Sequence, residues 1–170
     1  TITVSFDSTL AAISLGPDTS VCLGNDIGLL NPPNGITSYL WNTSQTTARI
    51  VPQATGIYWV DISAGDCTKR DSIFITIQGD APTADFSAPN ICFGDSAFFT
   101  DNSQNPTLGI IDTWRWNFGN GLTDTSQNTS TFYNAAQVYT VSLYVETDTK
   151  CADSTTKQIL VNPKPIAGFT

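Results

Sequence analysis

Apolar and polar residues alternate in short runs along the whole chain. Tyr58, Val60 and Ile62 alternate with Trp59 and Asp61, and Tyr139, Val141, Leu143 and Val145 alternate with Thr140, Ser142 and Tyr144. A period of two with one apolar face predicts half-buried antiparallel strands. Further alternating strands are predicted over Ser72 to Gln78 and Thr155 to Val161. Trp114 and Trp116 fall on one face of a strand, with Arg115 on the other. Asn31-Pro32-Pro33-Asn34-Gly35 and Gly119-Asn120-Gly121 carry turn chemistry. No stretch shows the 3.6-residue period of an amphipathic helix. Seven or so short strands per module, packed as two sheets face to face, are the natural product of this pattern. Sandwich modules run to roughly 80–100 residues, so a chain of 170 residues predicts two.

The two halves echo each other. Val21-Cys22-Leu23-Gly24-Asn25-Asp26 matches Ile91-Cys92-Phe93-Gly94-Asp95-Ser96, and Tyr39-Leu40-Trp41-Asn42 matches Trp114-Arg115-Trp116-Asn117. Gly56 to Ile62 matches Gln137 to Leu143, and Cys67 to Ser72 matches Cys151 to Ser154. The offset grows from 70 residues (Cys22 to Cys92) to 84 (Cys67 to Cys151), which places longer loops in the second copy. Pro165 to Thr170 resembles Pro82 to Ser87, as if a third copy began there, and Thr1 to Phe6 reads as the last strand of a preceding one. The expected organisation is 1–12 as the end of a preceding repeat or linker, 13–79 and 80–164 as two sandwiches, and 165–170 as the start of the next. The absence of Met fits a piece of something longer. The short Pro-containing linkers predict a semi-rigid string of modules.

Charge and residue inventory then narrow the function. Fifteen acids against seven bases give a net charge of −8, which argues against nucleic acid and anionic membranes as partners. No apolar run is long enough to insert in a bilayer as a helix. With no His, a Ser-His-Asp or Cys-His catalytic arrangement is impossible. No pair of acids sits in a recognisable cleft signature for glycoside hydrolysis, so no enzymatic activity is expected. The four cysteines lack C-x-x-C spacing and have no His to complete a metal shell. A disulfide framework in an oxidising compartment is the reading, with four buried thiols as the alternative. If each half pairs its own cysteines, the bridges are Cys22–Cys67 and Cys92–Cys151.

Residues 84–161 resemble a PKD domain, through Trp116-Asn117-Phe118-Gly119-Asn120-Gly121, Phe132-Tyr133 and Val138-Tyr139-Thr140-Val141-Ser142-Leu143. In the usual pattern acids stand where this chain has Asn117 and Asn120, a His near Phe132, and a Gly at Gln137. Residues 13–77 resemble the Ig-like repeats found beside PKD domains in very large surface proteins of Bacteroidota. The matching segments are Leu15-Gly16-Pro17-Asp18-Thr19, Cys22-Leu23-Gly24, Tyr39-Leu40-Trp41-Asn42 and Gly56-Ile57-Tyr58-Trp59-Val60. Gliding-motility adhesins, exported by the type IX route, are among such proteins. The resemblance implies an all-β chain of two tandem Ig-like sandwiches, the second PKD-like, at the cell surface or secreted. It also implies an adhesive or spacer role beside neighbouring repeats. Cys67 comes nine residues after Tyr58 and Cys151 twelve after Tyr139, so each expected bridge would lie near the sandwich edge rather than across the core.

Few residues are candidates for chemistry. Asp101, Asp112 and Asp124 surround the loops that flank Trp116, and clustered carboxylates suit calcium; they serve equally as turn caps. No other cofactor is implied. Trp59 and Tyr144 point away from the apolar faces of their strands, where an aromatic ring can stack on a surface polysaccharide or pack on a neighbouring loop. Trp41 and Trp116 are expected in the cores. Asp-Ser-x triplets at Ser8, Ser72, Ser96 and Ser154 resemble the O-glycosylation pattern of Bacteroidota. Asn42 and Asn128 fit the N-glycan triplet, which matters only in a eukaryotic secretory pathway. Two functions compete: a disulfide-stapled stalk segment of a giant adhesin acting in surface adhesion or gliding motility, and carbohydrate-binding accessory modules of an adhesin or secreted hydrolase.

Overall fold

The computed structural model describes residues 12–165. Among them every regular element is a strand, and the chain divides into two compact units, Thr1–Gln78 and Gly79–Thr170. The expectations at Thr1 to Phe6, at Ser8 and after Pro165 lie outside the described residues.

In the first unit the strands are β1 (Thr19–Val21), β2 (Ile27–Gly28), β3 (Ser38–Trp41), β4 (Arg49–Ile50), β5 (Gly56–Ala64) and β6 (Cys67–Ile77). A four-stranded sheet in the order β1-β6-β5-β3 faces the two-stranded β2-β4. The alternation acts as read: Tyr58, Val60 and Ile62 point inward with Ile73 and Ile75, while Trp59 and Asp61 point outward. Ile27, Leu29 and Ile50 close the core from the opposite side around Trp41, which is 1% exposed. Each such side chain contributes roughly 1.5–3 kcal/mol by leaving water.

The second unit comprises β7 (Phe86–Ser87), β8 (Ile91–Cys92), β9 (Ala97–Asp101), β10 (Ile111–Asn117), β11 (Thr123–Asp124), β12 (Thr129–Thr131), β13 (Val138–Thr147) and β14 (Ala152–Asn162). A five-stranded sheet, β11-β10-β13-β14-β8, packs on a three-stranded one, β12-β9-β7. Its core is more aromatic. Phe86 stands edge-on to Trp116 at 5.2 Å between centroids, and Phe99 lies 5.8 Å from Trp116 and 5.3 Å from Phe118. Offset and edge-on pairs of this kind add to the burial energy of the rings.

The internal repeat extends to single hydrogen bonds. The indole nitrogens of Trp41 and Trp116 donate to the carbonyls of Thr47 and Ser126, each at 2.9 Å. The hydroxyls of Tyr58 and Tyr139 donate to carbonyls four residues upstream, Ala54 at 2.8 Å and Ala135 at 3.3 Å. These are the tyrosine corners of a sandwich. Asp71 and Asp153 accept from the backbone nitrogens of Leu15 (2.7 Å) and Ala84 (2.8 Å), and so hold the entering segment of each unit to its last strand. Asp18 and Asn90 accept from Phe74 and Leu160, each at 2.8 Å.

The cysteine pairing differs from expectation. Cys22 and Cys151 are the disulfide-bonded cysteines, whereas Cys67 and Cys92 carry thiols. Neither bridge expected within a copy, Cys22–Cys67 or Cys92–Cys151, forms. The strand pairing shows why. β1 runs parallel to β6, with Val21 opposite Ile77, so Cys22 lies at the far end of the strand that Cys67 begins. The ten residues from Cys67 to Ile77 span roughly 33 Å, against a Cα separation of about 4.4–6.8 Å for a disulfide. In the second unit Cys92 is opposite Asn162 at the end of β14, and Cys151 immediately precedes that strand. The same length of strand separates them.

Candidate functional site

The outer face of the five-stranded sheet carries a cleft in the second unit. Strand alternation turns Arg115 and Tyr144 outward opposite each other on β10 and β13. With Asn117, Thr123, Thr125 and Ser142 they line a cleft of about 380 Å³. The Tyr144 hydroxyl donates to Glu146 at 2.7 Å, and the Arg115 guanidinium sits 5.2 Å from the ring centroid. That hydrogen bond to Glu146 is the main cause that raises the Tyr144 pKa above the usual phenol value. It is also the main cause that lowers the Glu146 carboxyl. A half-exposed ring beside a cation and several hydroxyls can stack on a flat ligand and hydrogen-bond its edge.

Trp59, the other aromatic candidate, has its ring already covered. The Arg70 guanidinium lies 3.6 Å from its centroid and is clamped by both Asp61 oxygens at 2.7 and 2.6 Å. Cross-strand pairing builds this stack, since Asp61 faces Arg70 and Trp59 faces Ser72. In this arrangement the indole packs within its own sheet face.

Of the three acids proposed for calcium, two brace one segment and the third lies apart from them. The Asp101 carboxylate accepts from Trp114 Nε1 at 2.8 Å, Ser103 N at 2.9 Å and Gln127 Nε2 at 3.2 Å. Asp124 accepts from Ser126 N at 2.7 Å and Thr129 Oγ1 at 2.8 Å; these bonds, the backbone one foremost, hold its carboxyl down at about 2. Asp101 and Asp124 thus anchor the same segment, Ser126 to Thr129, from two sides. Asp112 is elsewhere. Asp124 pairs with Trp116, and Asp112 lies four residues back along β10, roughly 13 Å away; it accepts from Thr113 Oγ1. Among the described residues no three His, Cys, Asp or Glu side chains gather closely enough to hold a metal ion.

Asn117 and Asn120, where the family pattern has acids, shape the turn. Asn117 Oδ1 accepts from Gly119 N at 2.9 Å, and Asn120 Oδ1 from Leu122 N at 3.0 Å. Asn120 Nδ2 donates to the Phe132 carbonyl at 3.0 Å. Of the candidate glycosylation serines, Ser72 and Ser154 are exposed on last strands and Ser96 is half-buried before β9.

Two surface features escaped sequence reasoning. Phe98 on β9 is 65% exposed; the signal was present in Ala97-Phe98-Phe99, because consecutive strand residues cannot both face the core. The second is a groove of about 670 Å³ in the first unit beside the Asp26–Arg49 ion pair, lined also by Thr43, Gln45 and Gln53.

Residues 79–161 match the family model of the PKD domain. The PKD1 domain of Vibrio anguillarum Epp is 30% identical over 51% of this chain and 99% of its own length, with a TM-score of 0.46. The PKD1 domain of the Vibrio cholerae metalloprotease PrtV is 32% identical over 48% of this chain and 98% of its own, with a TM-score of 0.44. A structure described as showing promiscuous specificity of carbohydrate-binding modules of the β-sandwich superfamily is 27% identical, over 50% of this chain and 36% of that one, with a TM-score of 0.47. Among curated proteins none matches the chain. Disulfides persist outside the reducing cytosol, and together with the family match they point to an extracellular or secreted protein. The turn at Gly119, the tyrosine corner at Tyr139 and the two-sheet core thus belong to a PKD domain, which occupies residues 79–161 of this chain.

Proposed function

We propose that the chain is a load-bearing stalk segment of a giant bacterial cell-surface adhesin, set among neighbouring repeats and working in surface adhesion or gliding motility. The supporting observation is the parallel pairing of an entering strand with the last strand in each unit. β1 pairs with β6 from Thr19↔Ile75 to Val21↔Ile77, and β8 pairs with β14 at Val161↔Ile91 and Asn162↔Cys92. Tension applied through the two ends of a unit pulls these partners past each other. The evenly spaced hydrogen bonds that cross a parallel pair then share the load together instead of opening one by one. Side chains reinforce each seam: Asp18 and Asp71 in the first unit, Asn90 and Asp153 in the second. The resemblance of residues 13–77 to Ig-like repeats of gliding-type adhesins supports the finer assignment. Force spectroscopy on the chain tests it. Asp18→Ala should lower the rupture force of the first unit and Asn90→Ala that of the second. Rupture forces indifferent to both substitutions refute the load-bearing role.

A second reading, carbohydrate-binding accessory modules, is favoured by the Tyr144–Arg115 cleft. A polysaccharide screen comparing the chain with Tyr144→Ala tests that reading. Run in calcium and again in chelator, it also tests calcium binding by Asp101, Asp112 or Asp124. Binding that survives Tyr144→Ala removes the cleft from the account.

A further inference from the structure

Phe98 stands where a sheet of this kind normally presents a polar residue. Ala97 and Phe99 on either side are 0% and 1% exposed, so the strand geometry leaves the Phe98 ring on the outer face of the three-stranded sheet. Leaving the ring in water forgoes its burial energy, and the aromatic core beneath is complete without it. Its surroundings are polar and ordered. Ser130 is its cross-strand partner on β12, which puts the two Cβ atoms roughly 4.5–5.5 Å apart. Thr100 follows on the same face of β9. Asn128 ends the ladder, its Oδ1 accepting from Asp101 N at 2.9 Å, so the Nδ2 amide is left for an outside acceptor. With Thr129 and Asp124 these residues line a shallow cleft of about 420 Å³ on the sheet face.

From this arrangement we infer that the Phe98 face of the second unit is a binding platform for a neutral pyranose polysaccharide. The negative π-face of an aromatic ring attracts the slightly positive C–H edges of a sugar. The hydroxyls of Thr100 and Ser130 and the Asn128 amide supply donors and acceptors for the sugar hydroxyls around it. Charge selects a neutral polymer. The cleft contains the Asp124 carboxylate and no cationic side chain, and the whole chain carries −8, so uronate or sulfate polymers are repelled. A protein partner fits less well, because stable protein interfaces bury about 1,200–2,000 Å² around an apolar centre, and the lining of this shallow cleft is mostly hydroxyl, amide and carboxylate. The platform goes beyond the stalk reading and does not depend on it. It would let a load-bearing module also grip glycan along its length.

The test is retention of the chain by insoluble cellulose and chitin, followed by calorimetric titration with cellohexaose and chitohexaose. Polygalacturonate serves as the anionic control. At least one neutral polymer should be bound and polygalacturonate should not. Phe98→Thr, a good strand former, should weaken binding about tenfold or more with an unchanged thermal transition. Phe98→Trp should retain it, and Tyr144→Ala should leave it intact. The platform is overturned if no neutral polymer binds, or if Phe98→Thr binds as well as the parent chain. Loss in Tyr144→Ala but not in Phe98→Thr also overturns it. None of these results bears on rupture force, so this inference and the stalk reading fail separately.

Discussion

Gly119 is the position where the family turn meets the core sheet, and its replacement by Ala gives a sharp stability prediction. Gly119 has a φ of 74°, in the left-handed region. A Cβ there would overlap the Thr140 carbonyl oxygen and come within 3.3 Å of that residue's carbonyl carbon and nitrogen. Thr140 lies in β13, paired on one side with β14 and within the strand that also pairs with β10, so its backbone has no slack. A left-handed conformation costs a non-glycine residue about 1–2 kcal/mol, and forcing an extra carbon into a packed site costs about 1–3 kcal/mol more. Gly119→Ala should therefore destabilise the second unit by about 2–5 kcal/mol. Gly121 provides the control two residues away. Its φ is 89°, but a Cβ there meets nothing within 4 Å, so Gly121→Ala should cost only the conformational part, about 1–2 kcal/mol. Denaturant unfolding followed by tryptophan fluorescence reads both, because Trp116 is buried beside this turn and Trp41 reports the first unit. Thermal midpoints should fall by roughly 4–8 °C per kcal/mol for a domain of this size. Equal losses from Gly119→Ala and Gly121→Ala would refute the close-approach argument. So would an unfolding transition of the first unit that moves with them.

Three further outcomes follow from particular bonds. Tyr58→Phe and Tyr139→Phe should each cost about 1 kcal/mol in their own unit, measured by urea unfolding, with the larger loss at Tyr58, whose bond is shorter. Asp124 should contribute an acid-sensitive stabilisation. Its folded pKa of about 2 lies below the ordinary 3.8, so the stabilisation is complete above about pH 4 and is lost as the pH falls toward 2. Asp124→Asn should flatten that part of the stability profile of the second unit, read from urea midpoints between pH 5 and 2. Arg70→Ala should uncover Trp59, shifting its emission to the red with a stability change under about 1 kcal/mol, because the ion pair it removes is exposed.

Much of this molecule was legible in its sequence because the relevant signals are local. The period-two alternation of Tyr58 to Ile62 and Tyr139 to Val145 names the inward faces, and those side chains form the centres of the two cores. Trp41 and Trp116 occupy equivalent places and donate equivalent bonds. The site was less legible. Trp59 and Tyr144 have the same outward phase, yet Arg70 covers one ring and a cleft opens beside the other. Which residue stands across the ladder made the difference, and cross-strand register is not visible in either strand alone. Asp101, Asp112 and Asp124 look like one group along the chain, but β10 carries Asp112 away while the other two brace Ser126 to Thr129.

The amino-acid sequence by itself determined the strands, their buried faces, the turns at glycine and the duplication of one plan in two units. Each of these depends on neighbours within a few residues. The tertiary structure alone decided which distant segments meet. Because the entering strand runs parallel to the last strand and pairs with its far end, the two cysteines of each copy lie a strand's length apart. Parallel pairing is a long-range choice made by the packing of the whole sheet, and no spacing of cysteines along the chain could announce it.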